Sequence, residues 1–329
     1  MNLKISDVPE VIFSLSSDSV LNLTLEEFLL KKVEKESDIL FIYENNPAVI
    51  IGRFQNPWKE CCTGFVRRSS TEIRRRISGG GTVFHGPGNL NFSIISRSSV
   101  PAKEDNLKRI IRALERIGVR MEMNDRFDLQ IRKPQGLGEN VFKVSGSAFR
   151  QISGGSIHHG TLLVNTDLDS LRAFLGSRRR RIETRSVPSV PSPVANLADI
   201  SPGLTVSDVV RALASEWGYP GEGDLIDPLD FGELSGFREI RERLISDDWI
   251  WGKTPKFREV FTGLAGVEDF LLEIEVREGR IFHIQSSVSL NTDYLIGCPY
   301  HGPAILESGG SDPEPWLGNL ASAVDGETE

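Results

Sequence analysis

Arg75-Arg76-Ile77-Ser78-Gly79-Gly80-Gly81-Thr82-Val83-Phe84-His85 sets three consecutive glycines between a pair of arginines and a short β-rich run. Successive glycines reach backbone conformations that other residues avoid, so their N–H groups can converge on one point. Such a nest binds anions, phosphate or carboxylate above all. The two arginines would add charge-assisted hydrogen bonds to the same anion. No Gly-Lys-Ser/Thr follows, so this is not a P-loop, and the spacing is not a dinucleotide fingerprint. The plainer alternative is a flexible turn between two strands. Gly88-Asn89-Leu90-Asn91, close downstream, weighs against it.

Two further segments carry chemistry. Phe142-Lys143-Val144-Ser145-Gly146-Ser147-Ala148 places one lysine among apolar and small residues. There it could be a fixed point charge for a phosphate or a carbonyl oxygen. On spacing alone, an edge-strand lysine facing water fits as well. His158-His159-Gly160-Thr161-Leu162-Leu163 sets two histidines on opposite faces of a strand, so both cannot easily hold one metal. A packed, hydrogen-bonded histidine is the alternative.

Around these segments, apolar patterning predicts strands at residues 11–15, 39–43, 48–51, 82–84, 89–95, 128–131, 141–145 and 156–164. Helices are expected at 21–33, with Leu21, Leu25, Phe28 and Leu29 on one face, and at 107–117, stopped by Gly118. A third starts at Thr205, with Asp208 placed to cap it. Residues 176–193 and 220–236 read as a loop and a linker. Beyond them come a helix near 237–245, a hairpin at 270–287 and an acidic tail, 307–329, expected to fray. The 329 residues suggest two domains, 1–232 and 233–329. A net charge of −8 does not suit generic nucleic-acid binding. Three cysteines and five histidines offer neither a disulfide framework nor a zinc cluster. No apolar run is long enough for a membrane span. Composition thus points to a soluble enzyme of a reducing compartment, without naming its chemistry.

Taken in order, the motifs resemble those of lipoate–protein ligases and mitochondrial lipoyltransferases, in the biotin/lipoate ligase superfamily. Gly52-Arg53-Phe54-Gln55-Asn56-Pro57-Trp58-Lys59-Glu60-Cys61 is similar to the family's IGRxQNPWxEC segment. Arg75–His85 with Gly88–Asn91 resembles RRxSGGGTVxHxxGNxN. Lys143–Ser147 resembles KxSGS, His158–Leu163 resembles HHGTLL, and Asn196-Leu197 ends a VxNL loop. Trp249-Ile250-Trp251-Gly252-Lys253-Thr254-Pro255-Lys256-Phe257 looks like W-x-x-G-x-T-P-x-F. The resemblance implies an α+β catalytic domain with mixed sheets and a small C-terminal α/β accessory domain. It implies transfer of a lipoyl group from lipoyl-AMP to one lysine of an apo lipoyl domain (an E2 subunit) or a glycine cleavage H protein. ATP and Mg2+ enter where the enzyme also activates lipoate. It assigns Lys143 to catalysis. Lipoyl-adenylate binding falls to Arg75, Arg76, Ser78, Gly79, Gly80, Gly81, Thr82, His85, Asn89, Ser145, His159, Gly160 and Thr161. Asp128 is the candidate metal contact.

Departures from the pattern are local. Gly86 stands where bacterial ligases commonly have Asp, and Phe127 replaces the Asn before Asp128. The loop 190–197 has lost its arginines, as in the mitochondrial transferases. A cysteine nucleophile at Cys61, as in octanoyltransferases, and a non-catalytic binder of lipoyl domains are the alternatives. Arg178–Arg181 is either a solvated loop or a docking patch for acidic lipoyl domains. No nucleic acid and no membrane partner is expected, and the protein should be a monomer. The expected compartment is the mitochondrial matrix in a eukaryote and the cytoplasm otherwise.

Overall fold

The computed structural model describes residues 8–32, 37–69, 71–135, 138–175, 181–264, 270–311 and 313–326. It is an α+β fold built on four sheets. The central sheet has six strands, in the order Ser147–Ile152, Gly155–Leu163, Asn89–Ser96, Ile39–Tyr43, Val11–Ser14, Asp224–Ile226. The first three and Ile39–Tyr43 pair antiparallel, and the last two joins are parallel. A three-stranded sheet sets Ala48–Ile51 between Glu72–Arg75 and Val83–His85, and so fixes both ends of the glycine turn. A second three-stranded sheet holds Glu122–Met123, Leu129–Gln135 and Gly138–Ser145. A four-stranded antiparallel sheet, Ile182–Thr184, Phe257–Thr262, Leu271–Arg277 and Arg280–Ser286, forms the C-terminal part.

The expected helices form at Ser19–Lys32, Lys103–Glu115 and Val206–Glu216. Thr205 and Asp208 make a reciprocal capping box at the last of these. The first helix differs from a one-faced amphipathic helix. Every residue from Ser19 to Leu30 is buried, Glu26 and Glu27 included. The sheet covers one side of it, and Phe231 and Phe237 cover the other.

Three expectations need correction. Residues 220–236 are not a linker. Asp224–Ile226 adds a parallel edge strand, and Pro228–Phe231 is a 3-10 turn capped by Asp227. Packing does not break at residue 232, because Phe237, Ile240, Leu244 and Trp249 share a core with Leu25 and Phe28. The described part of the tail is not frayed, while residues 312 and 327–329 lie outside the described residues. Pro315–Val324 is a helix that buries Trp316, Leu317, Leu320 and Val324 against the four-stranded sheet. Within 176–193, Ile182–Thr184 is a strand, while Arg178–Arg180 lie outside the described residues. Among the described residues, no helix is long and apolar enough to cross a membrane.

Candidate active site

The glycine turn is held from three sides. A Cβ on Gly52 would sit 2.2 Å from the Gly80 carbonyl oxygen, so only glycine admits this approach. Gly80 has φ +85°, the left-handed region. From below, the Arg76 guanidinium donates to Ser78 Oγ at 3.0 Å and to the carbonyls of Gly79 and Gly81, both at 2.7 Å. Opposite, Ser189 Oγ accepts from the Thr82 N–H at 2.9 Å and from Gln55 Nε2 at 3.0 Å. The Gly80 and Gly81 N–H groups have no partner among the described residues.

Two cavities meet at this turn. One, of about 300 Å³, is lined on its apolar side by Leu23, Tyr43, Ile50, Val83 and Ala148. Arg76, Gly80, Gly81, Thr82, His85, Asp128, Lys143, His159, Gly160 and Thr161 also line it. The other, of about 720 Å³, takes Asn89 and Ser145 and is closed by the segment 188–194. Lys143 lines both. Its Nζ lies 2.8 Å from Asp128 Oδ1. Its main chain is pinned to the 190s loop, donating to Pro193 O at 2.8 Å and accepting from Ala195 N–H at 3.1 Å. Buried Ser145 Oγ makes no hydrogen bond among the described residues and faces the larger cavity.

Arg75, Ser78 and Gly79 are not brought to either cavity. Arg75 is fully buried and donates to the carbonyls of Gly52, Arg53, Gln55, Trp249 and Ile250 and to Thr254 Oγ1, at 2.7–3.1 Å. Burial without a carboxylate lowers its pKa to about 9, so it stays charged at neutral pH. It stitches the Gly52–Gln55 turn to the Trp249–Thr254 motif. Asp128 serves Lys143 and, at 3.7 Å, Arg126. The local turn is capped by Asn124, which accepts the Asp128 N–H. Phe127 adopts φ 61°, a conformation that Asn tolerates and that costs a bulky residue about 1–2 kcal/mol.

The histidines divide as expected for neighbours on a strand. His158 packs on Phe92 and Phe149, and burial lowers its pKa to about 3. His159 faces the cavity, with Nε2 2.6 Å from Ser78 Oγ and Nδ1 3.1 Å from the Glu26 carboxylate. Burial would raise the Glu26 carboxyl, but His159 and hydrogen bonds from Ser93 and Tyr43 bring it below its ordinary value. A buried relay therefore runs Arg76–Ser78–His159–Glu26 beneath the glycine turn.

His85 ends a second buried chain that fixes its tautomer. The Ser16 carbonyl can only accept, so the atom of Asn22 that faces it is Nδ2. That Nδ2 also donates to Asn45 Oδ1 at 2.8 Å. Asn45 therefore presents its Nδ2 to His85 Nδ1, at 2.8 Å. Nδ1 must accept, and the ring proton sits on Nε2. Burial lowers the His85 pKa to about 3, so the ring is a neutral donor at physiological pH. Glu26, Asn45, Gln55 and Ser189 are thus site residues that the motif reading passed over. Two signals were visible: Gln55 inside the Gly52–Cys61 motif, and a pair of glutamates, Glu26-Glu27, flanked by Leu25 and Phe28 in a largely apolar helix.

The chain with this glycine turn, braced by a buried arginine beside a lysine that lines two adjoining cavities, falls in the biotin/lipoate protein ligase superfamily. Residues 18–218 match the family of the lipoyl protein ligase A/B catalytic domain. Over 308 residues the chain is 32% identical to the lipoate-protein ligase A of Blochmanniella pennsylvanica, covering 90% of each chain. The chain belongs to the lipoate-protein ligase A family, a family of lipoate-protein ligase and lipoyltransferase enzymes. The P. falciparum LipL1 structure in complex with lipoate aligns with TM-score 0.63 and 25% identity, covering 96% of this chain and 99% of that one. A bi-partite lipoate protein ligase from Thermoplasma acidophilum, solved with its E2 lipoyl domain, shares the fold with TM-score 0.59 and 23% identity, covering 73% of this chain and 95% of that one.

Proposed function

We propose that this protein transfers a lipoyl group from lipoyl-adenylate to the ε-amine of one lysine on a lipoyl domain. The observation that carries the reading is Lys143, which lines both cavities and whose Nζ is paired with Asp128. The smaller cavity suits the acyl chain, with Leu23, Ile50 and Ala148 at its apolar side. The larger one suits the adenylate. The acceptor amine attacks the acyl carbonyl carbon, forming a C–N bond and breaking the carbonyl C–O bond to phosphate. AMP leaves and the amine loses its proton. Negative charge grows on the carbonyl oxygen, and a preorganised ammonium beside it lowers the barrier. His85 Nε2–H and the Gly80 and Gly81 N–H groups are further donors for that oxygen or the phosphate.

The mixed anhydride is already activated, so no enzyme nucleophile is required. Cys61 is fully buried, its thiol donates to Pro57 O at 3.2 Å, and neither cavity is lined by a cysteine among the described residues. A resident metal does not fit either. Asp128 is engaged by Lys143, and no group of three candidate ligands occurs among the described residues. Mg2+ would come with nucleotide phosphates.

The test supplies apo lipoyl domain with either synthetic lipoyl-adenylate or lipoate plus ATP-Mg. Product from the adenylate alone identifies a transferase, and product from both a ligase. No product from either overturns the reading. Lys143→Ala should abolish transfer with the fold retained.

A further inference from the structure

A third cavity, of about 250 Å³ and not lined by Lys143 or the three glycines, has a different character. Arg53, Arg150, Arg243 and Lys31 line it, and Glu27 is the one carboxylate among its lining residues. Glu27 is already shared, pairing with Lys31 at 2.8 Å and with Arg243. Arg53 and Arg150 have no carboxylate at ion-pair distance among the described residues. Trp249 forms the wall, with the Arg243 guanidinium 4.1 Å and that of Arg53 5.3 Å from its ring centre. Its indole N–H donates to Arg75 O at 2.7 Å, which anchors the ring. Burial, then repulsion from Arg150 and Arg243, lowers the pKa of Arg53. Four cations around one carboxylate leave this pocket with a net positive charge, in a chain whose net charge is −8.

The pocket adjoins the acyl cavity. Arg150 lies two residues from Ala148, on the same face of the Ser147–Ile152 strand. The Arg53 N–H donates to Ser78 O at 2.8 Å. Between pocket and cavity mouth runs an exposed apolar rim. Phe54 is 51% exposed, under the Arg53 guanidinium, and its carbonyl accepts the N–H of Val187, itself 46% exposed. Val187 and Val190 edge the acyl cavity.

We propose that Arg53, Arg150 and Arg243 form a docking pocket for acidic side chains on the protein that presents the target lysine, with Phe54 and Val187 as its apolar rim. This rests on the reading above, that the acceptor is a protein. A carboxylate from the partner would relieve the repulsion among the arginines, and Lys143 is not among the residues that line this pocket, so a contact here orients the partner rather than reacts. Opposite charge at such a site acts mainly on encounter and register.

The test compares wild type with the double variant Arg53→Gln/Arg150→Gln, both given lipoyl-adenylate. One acceptor is the apo lipoyl domain and the other a small neutral lysine amide. The variant should show a KM for the domain raised about 10-fold or more, with a flatter salt dependence. Its kcat and its rate with the lysine amide should stay unchanged. A lipoyl domain with amides replacing the carboxylates around its target lysine should raise KM on wild type and add nothing further on the variant. An unchanged KM for the native domain, or additive effects of the two changes, overturns the docking pocket. So does pyrophosphate binding, by calorimetry, that the variant loses while its KM for the domain stays put, since that marks a small-anion site. A wild type inactive towards both acceptors overturns the transfer reading itself, which is a separate result. A variant that loses the lysine-amide rate as well overturns the docking role, because the arginines then serve the acyl site.

Discussion

Arg75→Lys separates a structural arginine from a ligand-binding one. Arg75 spends its five N–H donors on six acceptors, five carbonyls and the Thr254 hydroxyl, all buried except the partly buried bond to the Arg53 carbonyl. A lysine keeps the charge but has three donors and no fork, so at least about three acceptors lose their partner. Hydrogen bonds to a charged group contribute about 1.5 kcal/mol each at the low end, which gives a loss of roughly 3–5 kcal/mol. At about 2.1 cal/mol/K of unfolding entropy per residue, a chain of this size melts roughly 4–7 °C lower for that loss. Differential scanning calorimetry measures the shift, and steady-state kinetics on synthetic lipoyl-adenylate measures the site. The expected result is a lowered melting temperature with KM for the adenylate unchanged. An unchanged melting temperature with a raised KM would show that Arg75 reaches the ligand, and would refute the account of its buried role.

Asn45→Asp should move the His85 proton from Nε2 to Nδ1 and turn a donor into an acceptor at the cavity. Transfer should fall about 10-fold or more, and 15N spectra of the ring should report the changed tautomer; an unchanged spectrum sinks the hydrogen-bond chain. His85 and His158 have folded pKa values of about 3, below the unfolded value. The unfolded chain therefore binds more protons between about pH 6.5 and 3, and stability is full above that window and lost as pH falls through it. Each histidine should contribute up to about 1.4 kcal/mol per pH unit there. His158→Asn should make the melting temperature less steep in that window, and an unaltered slope would count against the buried neutral ring. Cys61→Ser should leave the transfer rate nearly unchanged, whereas a lost acyl-enzyme adduct by mass spectrometry would restore the cysteine route.

The glycine turn and Lys143 stood out because each sits in an unusual local pattern, three consecutive glycines after paired arginines and one lysine among apolar and small residues, and residues of both patterns line the smaller cavity. Arg75 was legible as important and misread in kind. Five of its acceptors are backbone carbonyls, which carry no residue identity, and those of Trp249 and Ile250 lie 174 and 175 positions away. Glu26 gave no sign of its role because its partner His159 is 133 residues distant. The C-terminal helix was lost in averaging. Acid, Gly and Pro content over 307–329 masked a stripe at Trp316, Leu317, Leu320 and Val324. A three-residue strand such as Asp224–Ile226 is too short to show a period at all.

That short strand sets the order in which the molecule can be finished during synthesis. Val11–Ser14 gains its outer neighbour, and the Ser19–Lys32 helix its Phe231 and Phe237 cover, only after some 200 further residues have left the ribosome. At about 5–20 residues per second, an apolar helix waits uncovered for roughly 10–40 s. Nascent chains should therefore depend on holding chaperones through that interval, and a truncation ending before Asp224 should aggregate rather than fold as a smaller enzyme.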